Sequence, residues 1–211
     1  MRKGLLTGLF TCCGFAATAE PVVIAALGDS LTQGYGLIEE DGFVPQLERW
    51  LAAEGADVRV INAGVSGDTT AGGAARVEWT LTPEVGGMIV ALGGNDLLRG
   101  IDPDVSRTNL EKILSVAQAG DVEVLLVGMQ APGNYGPAYK QSFDDMYPEL
   151  AQEYDTLYAT SFFEGLVADG DPNAVGEFMQ SDGIHPNAKG IALIVEALGS
   201  KVLELVNTTA D

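Results

Sequence analysis

The sequence predicts an α/β protein, a three-layer α/β/α sandwich around a mainly parallel sheet of about five strands. Three observations predict it. Short apolar runs of strand length recur along the chain without polar alternation, as strands buried on both faces require. Segments with helical spacing of apolar residues separate these runs. Right-handed crossovers between parallel strands then place the helices on both faces of the sheet. The chain has 211 residues, 46% hydrophobic and 19% charged, which suits one domain and is short for two.

The elements follow in order. Val22–Leu27 is a continuous apolar run ending at Gly28, and Val58–Ile61, Met88–Leu92 and Val122–Met129 resemble it. Leu157–Ala159 is a weaker fifth strand. Val44, Leu47 and Leu51 follow helical spacing, with Asp41 before them and Gly55 after. Gly64–Gly73 reads as a loop, and a helix from about Thr70 to Val77 has Asp68 or Thr69 as its cap. Leu110, Ile113, Leu114 and Ala117 mark a helix ending at Gly120. Tyr139–Glu153 is helical, with Pro148 expected to bend or limit it. Ile191, Ile194, Val195, Leu198, Val202 and Leu205 give a long amphipathic C-terminal helix. No internal repeat, low-complexity tract or interdomain linker interrupts this pattern.

The first residues read as a targeting segment. Arg2 and Lys3 precede the apolar stretch Leu5–Ala17, which is too short to span a bilayer well. Ala17-Thr18-Ala19 fits a small-x-small cleavage site. Residues 1–19 are thus expected to be a signal peptide and residues 20–211 a single exported domain, periplasmic or secreted. A buried N-terminal helix or strand is the plainer alternative. The two cysteines, Cys12 and Cys13, fall inside the leader, so the mature chain has neither a disulfide nor a catalytic thiolate. Lipidation of either cysteine is disfavoured, because Leu9-Phe10-Thr11 lacks the small residue such sites place before the cysteine.

The 30 acidic and 11 basic residues give a net charge of −19; removing Arg2 and Lys3 leaves 30 against 9, or −21. Such a chain repels phosphate backbones and anionic bilayers. Nucleic-acid partners and a stable membrane anchor of the mature form are not expected, and a monomer is.

Ligands of open α/β sheets bind at the carboxyl ends of the strands. Gly28-Asp29-Ser30-Leu31 follows the first strand and places Ser30 where a helix should start, with its hydroxyl exposed. Taken alone, Asp29 or Ser30 is an ordinary helix cap. Asn62–Thr69 follows the second strand, and its Gly67 is either a loop glycine or an unobstructed backbone N–H donor. Gly93-Gly94-Asn95-Asp96 follows the third; Asn95 suits an Asx-turn or an oxyanion donor. Asp182-Gly183-Ile184-His185-Pro186 precedes the last helix and holds the only histidine of the chain. Pro186 biases His185 away from helical geometry, and Asp182 is near enough to accept from its Nδ1. No second His and no mature Cys exists to share a zinc ion with His185. Each motif is weak alone; together they supply a nucleophile, oxyanion donors, a base and its orienter.

These four blocks, in this order and spacing, resemble the GDSL, or SGNH, hydrolase family, over essentially the whole mature chain. Asn62–Thr69, Gly93–Gly100 and Ala131–Gly136 look most like the bacterial periplasmic branch of acyl-CoA thioesterase I, protease I, lysophospholipase and arylesterase enzymes. The resemblance implies a flavodoxin-like parallel sheet and a serine esterase or thioesterase acting on small acyl substrates without metal or cofactor. It implies Ser30 as nucleophile, Asp182 and His185 as the rest of the triad, and Ser30, Gly67 and Asn95 as the oxyanion hole. It also points to Leu97, Leu98, Ile101, Pro132 and Tyr135 as cover for an acyl chain. Leu97, Leu98 and Ile101 have an ordinary alternative, packing inward to hold their loop.

A carbohydrate acetyl-esterase of the same family would share this machinery but have a small polar acyl pocket. A non-catalytic cleft-binding protein is disfavoured by Ser30, Asn95 and His185 all being present. A nucleotide-binding loop is absent, since Gly28–Gly34 is not G-x-G-x-x-G and no G-K-[ST] occurs.

Overall fold

The structure, a computed structural model, describes residues 20–166 and 174–210. In chain order it runs β1 (Val22–Gly28), α1 (Ser30–Gln33), α2 (Phe43–Ala53), β2 (Val58–Gly64), α3 (Thr70–Thr80), β3 (Gly87–Ala91) and α4 (Gly94–Leu98). Then come α5 (Pro103–Ala119), β4 (Glu123–Val127), α6 (Pro137–Glu153), β5 (Leu157–Ala159) and α7 (Ala188–Ala210). Short 3-10 turns lie at Glu39–Asp41, Glu164–Leu166 and Ala174–Phe178.

The five strands form one all-parallel sheet in the order β2-β1-β3-β4-β5. The chain leaves β1 toward one edge, then crosses back to lay β3 on its other side. The reversal opens a crevice at the carboxyl ends of β1 and β3. Helices α2 and α7 pack together on one face, and α3, α5 and α6 follow one another across the other. The apolar runs lie between: Ile24, Leu27, Met88, Val90, Leu125 and Val127 are all sealed from solvent. Leu47 and Leu51 of α2, Ile113 of α5 and Leu198 and Val202 of α7 close over them. Residues 1–19, with the expected signal peptide and cleavage site and both cysteines, lie outside the described residues. No helix among those described is long and apolar enough to cross a membrane.

Three expectations about local structure need correction. The loop expected over Gly64–Gly73 ends before Thr70: Gly72 and Gly73 belong to α3, as the helix expected from Thr70 has them, and Thr69 caps it by accepting the Gly72 N–H. A Cβ on Gly73 would come within 2.3 Å of Leu92 Cδ1, so the missing side chain lets α3 lie close to the sheet. Asp41 does not cap α2: Gly42 is the residue that precedes Phe43, and the Asp41 carbonyl instead accepts from Gln46 Nε2. Pro148 does not limit α6, which runs through it. It lies on the exposed side of the helix, where water can serve the carbonyl left without a donor.

Candidate active site

β1 ends in a turn that aims its next residues at the crevice. The Arg76 guanidinium, reaching back from α3, donates to the carbonyls of Gly28 and Ala63 at 2.8 and 2.7 Å and so ties the ends of β1 and β2 together. Asp29 caps α1, its Oδ1 accepting the Leu31 N–H at 3.0 Å. Ser30 is therefore the first residue of α1, and its own N–H has no partner within the helix.

The loop after β2 brings Gly67 to the same crevice in a left-handed conformation, φ +79°, that suits glycine. The Gly67 carbonyl accepts from Arg99 at 2.7 Å, which fixes that peptide from the side of α4. Asn95 stands in the first turn of α4, with Nδ2 donating to Asp29 Oδ2 at 3.1 Å. Burial pushes the Asp29 carboxyl above its ordinary value, against the pull of the Leu31 N–H and the Asn95 amide.

The segment before α7 carries the histidine. Met179 and Pro186 form an antiparallel bridge, and the Gln180 N–H donates to the His185 carbonyl at 2.7 Å. Gln180 Nε2 donates to the carbonyls of Tyr35 and Pro186 at 2.8 and 3.0 Å, joining this segment to the one after α1. The Tyr35 ring lies over the imidazole, with centroids 4.5 Å apart.

His185 Nε2 is 2.9 Å from Ser30 Oγ, and its Nδ1 is 2.7 Å from Asp182 Oδ2. Asp182 Oδ1 accepts the N–H groups of Ile184 and His185 at 2.9 and 3.0 Å. The His185 N–H, the imidazole and the Ile184 N–H hold this carboxyl at about 2. A carboxylate only accepts, so Nδ1 carries the hydrogen. That leaves Nε2 with a lone pair for the Ser30 hydroxyl.

Ser30, Gly67, Asn95 and His185 share a cavity of about 860 Å³. Its walls are mainly apolar: Leu97, Leu98, Met129, Pro132, Phe163, Val175, Met179 and Ile184. Asp182 sits behind His185, outside the lining. Ile101 and Tyr135 do not line the cavity, contrary to expectation. The Ile101 carbonyl is held by Tyr139 Oη at 2.8 Å, and the Tyr135 ring packs beside Gly100 and Tyr139. Both brace the segment after α4 from outside. A second cavity, about 520 Å³ between residues 33–39 and the α2–β2 side, contains none of the four. No group of three or more potential metal ligands occurs among the described residues.

Sequence reasoning missed the contacts of Asp29 and Asp96. Asp29 reads as a cap, and nothing in its neighbourhood in the chain shows that its second oxygen reaches Asn95. Asp96 is fully buried on α4 and binds residues of α3 and α5.

Residues 26–193 match the GDSL-like Lipase/Acylhydrolase family. Esterase TesA of Pseudomonas aeruginosa is 40% identical over 187 residues, covering 88% of this chain and 90% of its own. Thioesterase 1/protease 1/lysophospholipase L1 of Escherichia coli is 34% identical over 91% of this chain and 88% of its own. The crystal structure of AlinE4, a SGNH-hydrolase family esterase, superposes with a TM-score of 0.72 at 42% identity, covering 89% of this chain and 98% of that one. With such matches over most of its length, the chain belongs to the GDSL-like lipase/acylhydrolase family and is a hydrolase.

Proposed function

We propose that the protein is a serine esterase and thioesterase that cleaves apolar acyl chains from small esters and thioesters through an acyl-enzyme. One observation carries this reading: Ser30 Oγ, His185 Nε2, His185 Nδ1 and Asp182 Oδ2 form one chain of hydrogen bonds opening into an apolar cavity.

His185 Nε2 takes the Ser30 proton as Oγ adds to the acyl carbon. The carbonyl oxygen becomes an oxyanion, received by the N–H groups of Ser30 and Gly67 and by Asn95 Nδ2. The imidazolium then gives its proton to the departing alkoxide or thiolate. Water, deprotonated in turn by His185, attacks the acyl-enzyme, and Ser30 regains its proton as the acid leaves. Asp182 holds the tautomer that this cycle needs. The cycle therefore starts from a neutral imidazole. Leu97, Leu98 and Pro132 receive the acyl chain, for which a sugar acetate has no use.

The relatives' names support the substrate class: an esterase and a thioesterase/lysophospholipase. The leader pattern of residues 1–19 supports export to the periplasm or beyond as a single domain beginning at Glu20. N-terminal sequencing of protein recovered from the periplasmic or culture fraction tests that start.

An organophosphate tests the site. One equivalent is expected to label Ser30 and abolish ester and thioester hydrolysis together, with no labelling of Ser30→Ala. Labelling of another residue, or full turnover by Ser30→Ala, overturns the scheme.

A further inference from the structure

Asp29 precedes the proposed nucleophile, takes no part in the proton transfers above, and is 2% exposed. A buried carboxylate must be compensated. Here two donors do so: the Leu31 N–H on Oδ1 at 3.0 Å and Asn95 Nδ2 on Oδ2 at 3.1 Å. The second contact spans 66 positions of sequence, from the end of β1 to α4.

An ionised carboxylate accepts and never donates, so whatever faces Oδ2 must be a donor. This decides which way the Asn95 carboxamide is turned. The amide nitrogen carries two hydrogens. One is committed to Asp29, and the other remains for the cavity that Asn95 lines. Turned about its last bond, the carboxamide would set its oxygen against Asp29 Oδ2 and lose the bond. Gly94 leaves room for the arrangement, because a Cβ there would lie 3.3 Å from Asp29 Oδ2.

We propose that Asp29 is a positioning residue for acyl transfer, its carboxylate holding the Asn95 carboxamide so that an N–H, and not the C=O, faces the oxyanion. This rests on the reading of Asn95 as an oxyanion donor. The competing role is a plain helix cap, for which the contact to Leu31 suffices and the contact to Asn95 is incidental.

Two variants separate these roles. Asp29→Ser keeps an oxygen able to cap α1 but withdraws the acceptor from Asn95. Asp29→Asn keeps the volume, while its amide nitrogen must face one of two groups that are themselves donors. Each is made in the native background and in Asn95→Ala, and kcat and KM are measured with a short-chain p-nitrophenyl ester. In the native background, kcat is expected to fall about 10- to 100-fold with KM within about twofold. In Asn95→Ala, neither variant is expected to lower kcat by more than about twofold further, because the group they disorder is already gone. Circular dichroism and the melting temperature confirm that each variant is folded. An equal loss of kcat in both backgrounds overturns the proposal, since Asp29 would then act without Asn95. So does an undiminished kcat in the native background. If Asn95→Ala alone leaves kcat intact, the oxyanion reading itself falls, an outcome distinct from either of these.

Discussion

Asp96 accepts twice from Thr70: its Oδ2 takes the backbone N–H at 2.9 Å and its Oδ1 takes the hydroxyl at 2.6 Å. Asp96 follows Asn95 on α4, and Thr70 starts α3 just after the loop that carries Gly67. The two segments bearing proposed oxyanion donors are thereby locked to each other. Ser106 of α5 adds a third donor, its hydroxyl 3.0 Å from Oδ1. Asp96→Ala strands these donors in the interior and is expected to cost about 3–5 kcal/mol. A lower urea midpoint with an unchanged slope is the expected result. An unchanged midpoint would mean that α3 and α4 are held by packing alone.

Asn95 itself allows a finer measurement. In its proposed role, its amide meets charge that develops only as the acyl carbon becomes tetrahedral. Asn95→Ala is expected to lower kcat by about 10²–10³ with little change in KM. A rise in KM at constant kcat would place Asn95 in ground-state binding.

Acid titration isolates Asp182. Its carboxyl is held at about 2, below the ordinary 3.8. A carboxyl lowered by folding stabilises the protein fully above its ordinary value, and that contribution fades as pH falls toward 2. The melting temperatures of the native protein and Asp182→Asn should differ most above about pH 4 and converge by about pH 2. A constant gap would show that the asparagine harms the fold for reasons unrelated to charge. At neutral pH the same variant should lose about 10³–10⁴ in kcat, because an amide no longer enforces the tautomer of His185.

Chain-length preference tests the cavity wall. Leu98 lines the cavity yet is 59% exposed, so trimming it disturbs little else. Each buried methylene is worth about 0.8 kcal/mol, so kcat/KM should climb from acetyl to medium-chain esters. Leu98→Ser is expected to flatten that climb and leave acetyl ester cleavage nearly intact. A native preference for acetylated sugars, with kcat/KM falling as the chain lengthens, would contradict the apolar-acyl assignment.

The strands and the Asp182–His185 pair were legible for a local reason, whereas Ser30 was assigned its role by the resemblance. Ile24–Gly28 and Gly87–Ala91 are buried on both faces, and such burial writes itself as unbroken apolar runs. The Asp182–His185 contact spans three residues, so a turn with Gly183 and Pro186 nearly dictates it. What stayed hidden depends on partners far along the chain. Gly73 falls in both an expected loop and an expected helix, and why it must be glycine shows only when Leu92 and Ile113 are seen against it. Ile101 and Tyr135 have the right character for an acyl groove, but Tyr139 and Gly100 hold them outside it. Pro148 shows that a helix can tolerate proline where the lost hydrogen bond faces water, which local pattern alone does not reveal.

Part of the cavity wall hangs from segments that carry none of the proposed reacting groups. Ser30 and Asn95 emerge from tight turns at the ends of two adjacent central strands. Pro132, Phe163 and Val175 come from three separate segments beyond those turns. Descendants of such a protein can therefore trade wall residues one segment at a time while inheriting the chemistry unchanged. Laboratory selection for a new acyl group should accumulate its first substitutions in those three segments and leave the turns after β1 and β3 as they are.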